Sequence, residues 1–304
     1  MGLLLTTPIS RVRRVLRTLT GDPRSPLAGR TVMVTGASSG IGEATARACA
    51  ARGATVLLVA RRAAELDRVR AEIEAGGGAA YCFPVDLTDG DAVDRLVRRV
   101  HAEFGPVDHL VNNAGRSIRR SLELTYDRFH DVERTIAINY LAPVRLTLGL
   151  LPAMRAQGFG HVVNVVTWGV QVKSPKFAAY IASKAALDVF GRIAGRESYA
   201  DGVAFTNLRF GLVRTEMIAP TEAYRRLRAL TPEQAAETVV KALEDRPVTV
   251  DLLSAQVIGL AGVLAPRLTD LAFSLADRAF PDSAAARSGS GAPTAPEVRS
   301  PYRD

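Results

Sequence analysis

Apolar residues recur along this chain in two alternating rhythms. Short runs rich in β-branched residues are apolar over nearly their whole length: TVMVT (31–35), TVLLVA (55–60), AAYCFPV (79–85), VDHLV (107–111), HVVNVVT (161–167) and VAFTNLRF (203–210). Between them, stretches ending near Arg52, Ala75, Phe104, Gln157 and Ala200 space apolar residues three and four apart, the period of a helix packed on one face. Strands apolar on both sides need cover on both sides, and crossover helices supply it. The alternation therefore predicts an α/β fold, a doubly wound parallel sheet of the Rossmann kind, in one domain over residues 27–251. After Thr215 the pattern reads as helices, and residues 252–282 form a helical C-terminal extension.

The two ends differ from this middle. Residues 1–26 make a basic leader in which ISRVRRVLRTL (9–19) sets Ile9, Val12, Leu16 and Leu19 on one helical face and arginines on the other. It reads either as a loosely attached segment or as a basic amphipathic helix that brings residues 1–20 to a membrane surface or a partner. From Ser283 the chain turns to Ser, Gly, Ala and Pro, which bury too little surface to offset ordering, so 283–304 is expected to be a disordered tail. No stretch reaches the roughly 20 apolar residues of a spanning helix. The longest, LLSAQVIGLAGVLA from Leu252, falls short, and the opening MGLLLT reads neither as a signal peptide nor, despite its letters, as a lipidation site.

Charge and cysteines narrow the classes further. The formal charge is +8, but residues 1–30 hold six arginines against Asp22, so five of those charges are terminal. Without a basic face spread over the domain, nucleic acid is not an expected partner. Cys49 and Cys82 lack any metal-ligand spacing and the four histidines are scattered, which argues for reduced thiols, a cytoplasmic setting and no metal.

Chemistry enters at TVMVTGASSGIGEATARACAARG, a strand, a glycine-rich turn and a helix. Gly36, Gly40 and Gly42 permit a sharp turn and close approach of backbone to ligand, and Ser38, Ser39 and Ile41 complete a cradle at the helix N-terminus, whose dipole attracts a pyrophosphate. The second strand ends in LLVARR. Where an NAD-selective site carries a carboxylate, this chain has Ala60 followed by Arg61 and Arg62. A guanidinium that forks onto a 2′-phosphate argues for NADP(H); the bland alternative is two solvated arginines. Asp86, closing the third strand beside Leu87, is placed to accept from the adenine amino group.

TGASSGIG (35–42), NNAG (112–115), Asn139 and YIASK (180–184), in this order and spacing, resemble the short-chain dehydrogenase/reductase family. NNAGRSIRRSLELTYDRFHDVERT, LTLGLLPAM, LVRTEMIAPT and AFPDS extend the likeness, from about residue 27 to 283, to bacterial fatty acyl-CoA reductases that use NADPH to make aldehydes. The resemblance implies roles. Tyr180 donates a proton to the reduced oxygen. Lys184, one helical turn away, bonds the nicotinamide ribose and, with the oxidised ring, lowers the phenol by about three pH units, worth roughly 4 kcal/mol. Thr167 stands where the family usually has serine; it grips the carbonyl oxygen, or else marks a decayed site with Trp168 beside it. Asn139 carries a water that links Lys184 to solvent. The segment from Asn112, with Asn113, Ala114 and Gly115, lines the nucleotide, and Val213 and Thr215 meet the nicotinamide. RFGLVRTEM departs from the family by lacking a proline near Gly211 and by carrying Glu216 where the reductases tend to have one.

Three functions stay open on this reading. The first is reduction of an acyl-CoA, its chain in a groove formed by 215–230 and the helices after Leu252; Arg116, Arg119 and Arg120 either meet CoA phosphates or form a solvated loop. The second is reduction of a ketone or aldehyde such as a polyketide, steroid or β-ketoacyl group. The third is NADP(H) sensing without turnover. The resemblance also implies a homodimer or homotetramer formed through the long helices.

Overall fold

The structure, a computed structural model, describes residues 4–6, 25–218 and 227–287. Six parallel strands bear out the sequence pattern: β2 (Thr31–Thr35), β3 (Thr55–Ala60), β4 (Ala79–Pro84), β5 (His109–Asn112), β6 (Gly160–Thr167) and β7 (Val203–Phe210). Two further strands were not expected. β1 (Leu4–Thr6) lies antiparallel at one edge, pairing with the parallel strand β8 (Thr249–Leu252), and the order across the sheet is β1-β8-β7-β6-β5-β2-β3-β4. The leader thus contributes an edge strand, while its amphipathic stretch 9–19 lies outside the described residues.

Helices cover both faces. α1 (Gly40–Ala50), α2 (Ala63–Ala75) and α8 (Pro232–Asp245) lie on one side; α3 (Gly90–Phe104), α4 (Phe129–Ile136), α5 (Ala142–Ala156) and α7 (Ala178–Glu197) lie on the other, with the short α6 (Gly169–Val172) at the end of β6. Each face has its own core, Val32, Val34, Val56 and Leu58 pointing one way and Met33, Leu57 and Val59 the other. That alternation explains why these strands read as continuous apolar runs. α4 and α5 are joined by one π-helical turn, Ala137–Leu141, so that 129–156 is one run long and apolar enough to cross a membrane by length and composition. Its residues Leu146, Leu150 and Met154 are buried in the sheet-covering core.

Beyond β8 come α9 (Leu253–Leu264) and α10 (Pro266–Ala279), and then a single turn, α11 (Ala284–Arg287). Of the tail expected from Ser283, residues 283–287 are described and the rest lies outside the described residues. Arg120 donates to the Ala286 carbonyl at 3.2 Å, Ser121 N to Asp282 Oδ1 at 3.1 Å, and Ala286 is buried, contacts that no composition rule could supply.

Candidate active site

The C-terminal ends of β2, β3, β5, β6 and β7 open onto one cleft of about 1220 Å³. Its first wall is the glycine turn after β2. Gly36 has φ 67°, and a Cβ on Gly42 would come within 2.2 Å of the Gly36 carbonyl oxygen, so the turn closes on the helix only because both lack side chains. Thr35, which the sequence reading passed over, is the hub of this wall. Its hydroxyl donates to Val111 O at 3.1 Å and accepts from the amides of Asn113 and Ala114, both at 3.0 Å, which locks the β2 turn to the loop after β5. Arg62 bends back to Ser38, with Nη2 3.3 Å from the hydroxyl and 3.4 Å from the carbonyl oxygen, while Arg61 stays exposed beside Asp86. Asp86 lines the cleft, but Thr88 already donates to its Oδ1 from both N (2.9 Å) and Oγ1 (2.7 Å), which holds its carboxyl below the usual range.

Ser38, Ser39, Ile41, Leu87, Asn113, Ala114, Gly115, Val213 and Thr215 also border this cleft. Gly42 sits just behind it. Asn112 does not face it: its amide donates to Thr147 and Asn164 beneath the strand ends, part of a buried asparagine ladder that runs on to Asn207. The alternating side of a strand decides this, since Asn112 is the last residue of β5 and Asn113 begins the loop.

Tyr180 and Lys184 share one face of α7, and Thr167 ends β6 opposite them. The Thr167 hydroxyl lies near enough to the Tyr180 phenol to act on its acidity, and it accepts from Gly169 N at 3.2 Å. Lys184 is 4% exposed and its Nζ donates to Val165 O at 2.9 Å. Burial pushes this amine down to about 8, and burial pushes the Tyr180 phenol up to about 12, with the Thr167 hydroxyl acting in the opposite direction. In the protein alone the largest effect on each group is desolvation, and the downward influence on Tyr180 comes from Thr167.

Asn139 sits in the π-helical turn, where the extra residue in the turn aims it inward. Its Nδ2 donates to Arg116 O at 2.8 Å and to Ser183 Oγ at 3.0 Å, and its Oδ1 accepts from Arg116 N at 2.8 Å. With both amide hydrogens committed, the side chain braces the loop after β5 against α7. A Cβ on Gly115 would lie 2.9 Å from Asn139 Oδ1 and 3.3 Å from Lys184 Nζ, so glycine there lets loop, amide and amine meet.

The outer wall was not legible in the sequence. Arg119, read as a phosphate ligand or a solvated side chain, instead donates to the carbonyl oxygens of Phe280 (2.6 Å) and Pro281 (3.0 Å). Arg120 bridges Ala286 O and the buried Asp131, which also receives Arg128 and Arg134. Lys176 holds Asp277, donating to its backbone oxygen at 3.0 Å and to its carboxylate. These ties draw α10 and the segment after it over the cleft, which Phe273 and Phe280 join as lining residues with Trp168, Met217, Ile218 and Leu227. Residues 219–226 of the expected groove lie outside the described residues.

The sequence pattern of the short chain dehydrogenase family matches residues 30–226. A fatty acyl-CoA reductase of Acinetobacter baylyi is 43% identical over 86% of this chain and 89% of its own length. A fatty acyl-CoA reductase of Mycobacterium tuberculosis is 47% identical over 79% of this chain and 82% of its own. Among solved structures, a metagenomic short-chain oxidoreductase in complex with NADP superposes with a TM-score of 0.63, is 32% identical, and shares 72% of this chain and 92% of its own.

Proposed function

This chain belongs to the short-chain dehydrogenase family and is an oxidoreductase using a nicotinamide cofactor; from that premise we propose that it reduces a fatty acyl-CoA to the aldehyde with NADPH. The observation that carries the reading is the meeting of Tyr180, Thr167 and Lys184 in a cleft whose outer wall is apolar and aromatic. The relatives named as fatty acyl-CoA reductases support the substrate class. The close-packed glycine cradle fits the cofactor, which Gly36, Ser38–Ile41, Asn113–Gly115, Val213 and Thr215 would hold, and which supplies a hydride when bound.

The protein's own groups do the rest. Thr167 and Tyr180 hold the thioester oxygen as its negative charge grows, a contribution that grows with charge and so acts on the transition state. Tyr180 lends its proton to that oxygen and takes it back when the C=O bond re-forms. In that same step the C–S bond breaks with its electron pair leaving on sulfur, and the CoA thiolate takes a proton from water. Lys184 stabilises the transient phenolate, and Asn139, through Arg116 and Ser183, keeps the loop and α7 in register. The place of Thr167 in the cleft lining, close enough to act on the Tyr180 phenol, weighs against its serving only as a strand former.

Arg62, already turned toward the phosphate cradle, and Arg61 beside it support a preference for NADPH. Arg62→Ala is expected to raise KM for NADPH about tenfold while changing that for NADH far less; equal changes would remove the argument. Apolar residues exposed on one side, Leu141 and Leu148 around α5 and Val189 and Ile193 on α7, support subunit pairing through these helices, which a doubled mass by light scattering would bear out. Ketone reduction is the second reading, favoured by likeness to a 3-oxoacyl (acyl-carrier-protein) reductase with NADP bound, at 32% identity, over 72% of this chain and 88% of that one, and TM-score 0.66. NADPH consumption across acyl-CoA, aldehyde and ketone panels with parallel thiol detection separates them: thiol equal to NADPH consumed is expected, and consumption with ketones alone would overturn the acyl-CoA reading.

A further inference from the structure

The C-terminal helices present a face that the fold does not cover. From Leu252 to Pro266 the chain carries no charged residue, yet α9 turns Leu253, Val257, Leu260 and Leu264 outward, with Leu264 75% exposed. α10 continues the strip with Leu268, Leu271 and Leu275, spaced three and four apart on one helical face, and none of its residues is buried. α9 is about 18 Å long, too short to span a bilayer core of about 30 Å, so an apolar environment could receive it only lying flat.

The charges of α10 are sorted. At 100° per residue, Arg267 and Arg278 adjoin the Leu271 edge of the strip, whereas Asp270 and Asp277 fall further round, and Asp277 is tied to Lys176. An apolar strip bordered by arginines, with the acids turned away, matches the boundary between acyl chains and anionic headgroups. The opposite face of α10 carries Phe273 and Asp277, which line the cleft, so the leucine strip is the side of this helix turned away from it.

We propose that the outer face of α9 and α10 docks this protein on an anionic lipid surface, with both helices lying in the headgroup region. The docking stands on this face alone and does not depend on the acyl-CoA reading above.

Flotation of the full chain with vesicles of phosphatidylcholine and phosphatidylglycerol tests it without any substrate, so the two readings fail separately. The protein is expected to float, and Leu260→Ser/Leu264→Ser/Leu271→Ser together to lower partitioning about a hundredfold with NADPH binding and mass unchanged. A protein that stays at the bottom, a variant that floats as before, or a variant whose mass falls because the face joins two copies would overturn the proposal. Should the triple variant lose NADPH binding through misfolding, Leu264→Trp in the full chain decides. A blue-shifted emission, quenched by brominated lipid and measured against the Trp168 background, is expected; emission unchanged by vesicles would refute docking.

Discussion

Replacing Thr167 by valine keeps the shape of the side chain and removes one oxygen. The Gly169 amide, which lies 3.2 Å from that oxygen, loses its acceptor, and the Tyr180 phenol loses a polar neighbour. The reacting carbonyl loses a donor as well. Loss of one such donor costs about 3 kcal/mol of transition-state stabilisation, or about 150-fold in kcat. Thr167→Ser restores the hydroxyl without the methyl and should stay within about threefold of the native protein, because the methyl only fills space near Gly169 and Ile181, where a Cβ on Gly169 would come 3.4 Å from it. Steady-state kcat with NADPH, alongside NADPH affinity from quenching of Trp168, separates a catalytic loss from a binding one. A Thr167→Val protein with kcat within threefold of native would refute the role assigned to this hydroxyl.

Other consequences follow from burial. Lys184 is pushed down to about 8, so kcat/KM should be level below that pH and decline above it as the amine gives up its charge; Lys184→Arg should move the decline above about pH 10, and an unmoved profile would exonerate the lysine. His109 meets Phe159 and His161 edge-on at the opposite end of the sheet with Arg30 and Arg246 nearby, and burial, then these arginines, pushes it down to about 3. Because its folded value lies below the unfolded 6.5, the unfolded chain binds the extra proton between these pH values, so the native state is undiminished above 6.5 and weakens as pH falls. At pH 4.5 the loss is roughly 3 kcal/mol, which His109→Phe should abolish; urea midpoints at pH 7 and 4.5 that fall equally in both proteins would contradict this.

Local signals made the phosphate cradle and the six main strands legible. Glycines at 36, 40 and 42 follow an apolar strand, and each later strand is a run long enough to rise above noise. β8 is four residues and includes Asp251, whose charge reads as solvent until Arg209 is seen reaching it at 3.1 Å. A neighbour 42 residues away is not written in a local pattern. The outer wall failed for the same reason: Arg119 and Arg120 look alike in sequence whether they meet a ligand, water or the carbonyls of 280–286. Thr35 was hidden in plain view, since a threonine at a strand end reads as a β-former until its hydroxyl is found between two loops. The pairing of Tyr180 with Lys184 was legible from spacing, but the direction in which each is pushed was not, because desolvation depends on everything packed around them.

Tyr180→Phe, which removes only the phenolic oxygen, tests the proton-transfer claim most directly. Single-turnover reduction of a long-chain acyl-CoA with NADPH, followed at neutral pH in native and variant proteins of matched NADPH affinity, is predicted to slow by about a hundredfold to ten-thousandfold. A variant that turns over at the native rate would show that the proton comes from elsewhere.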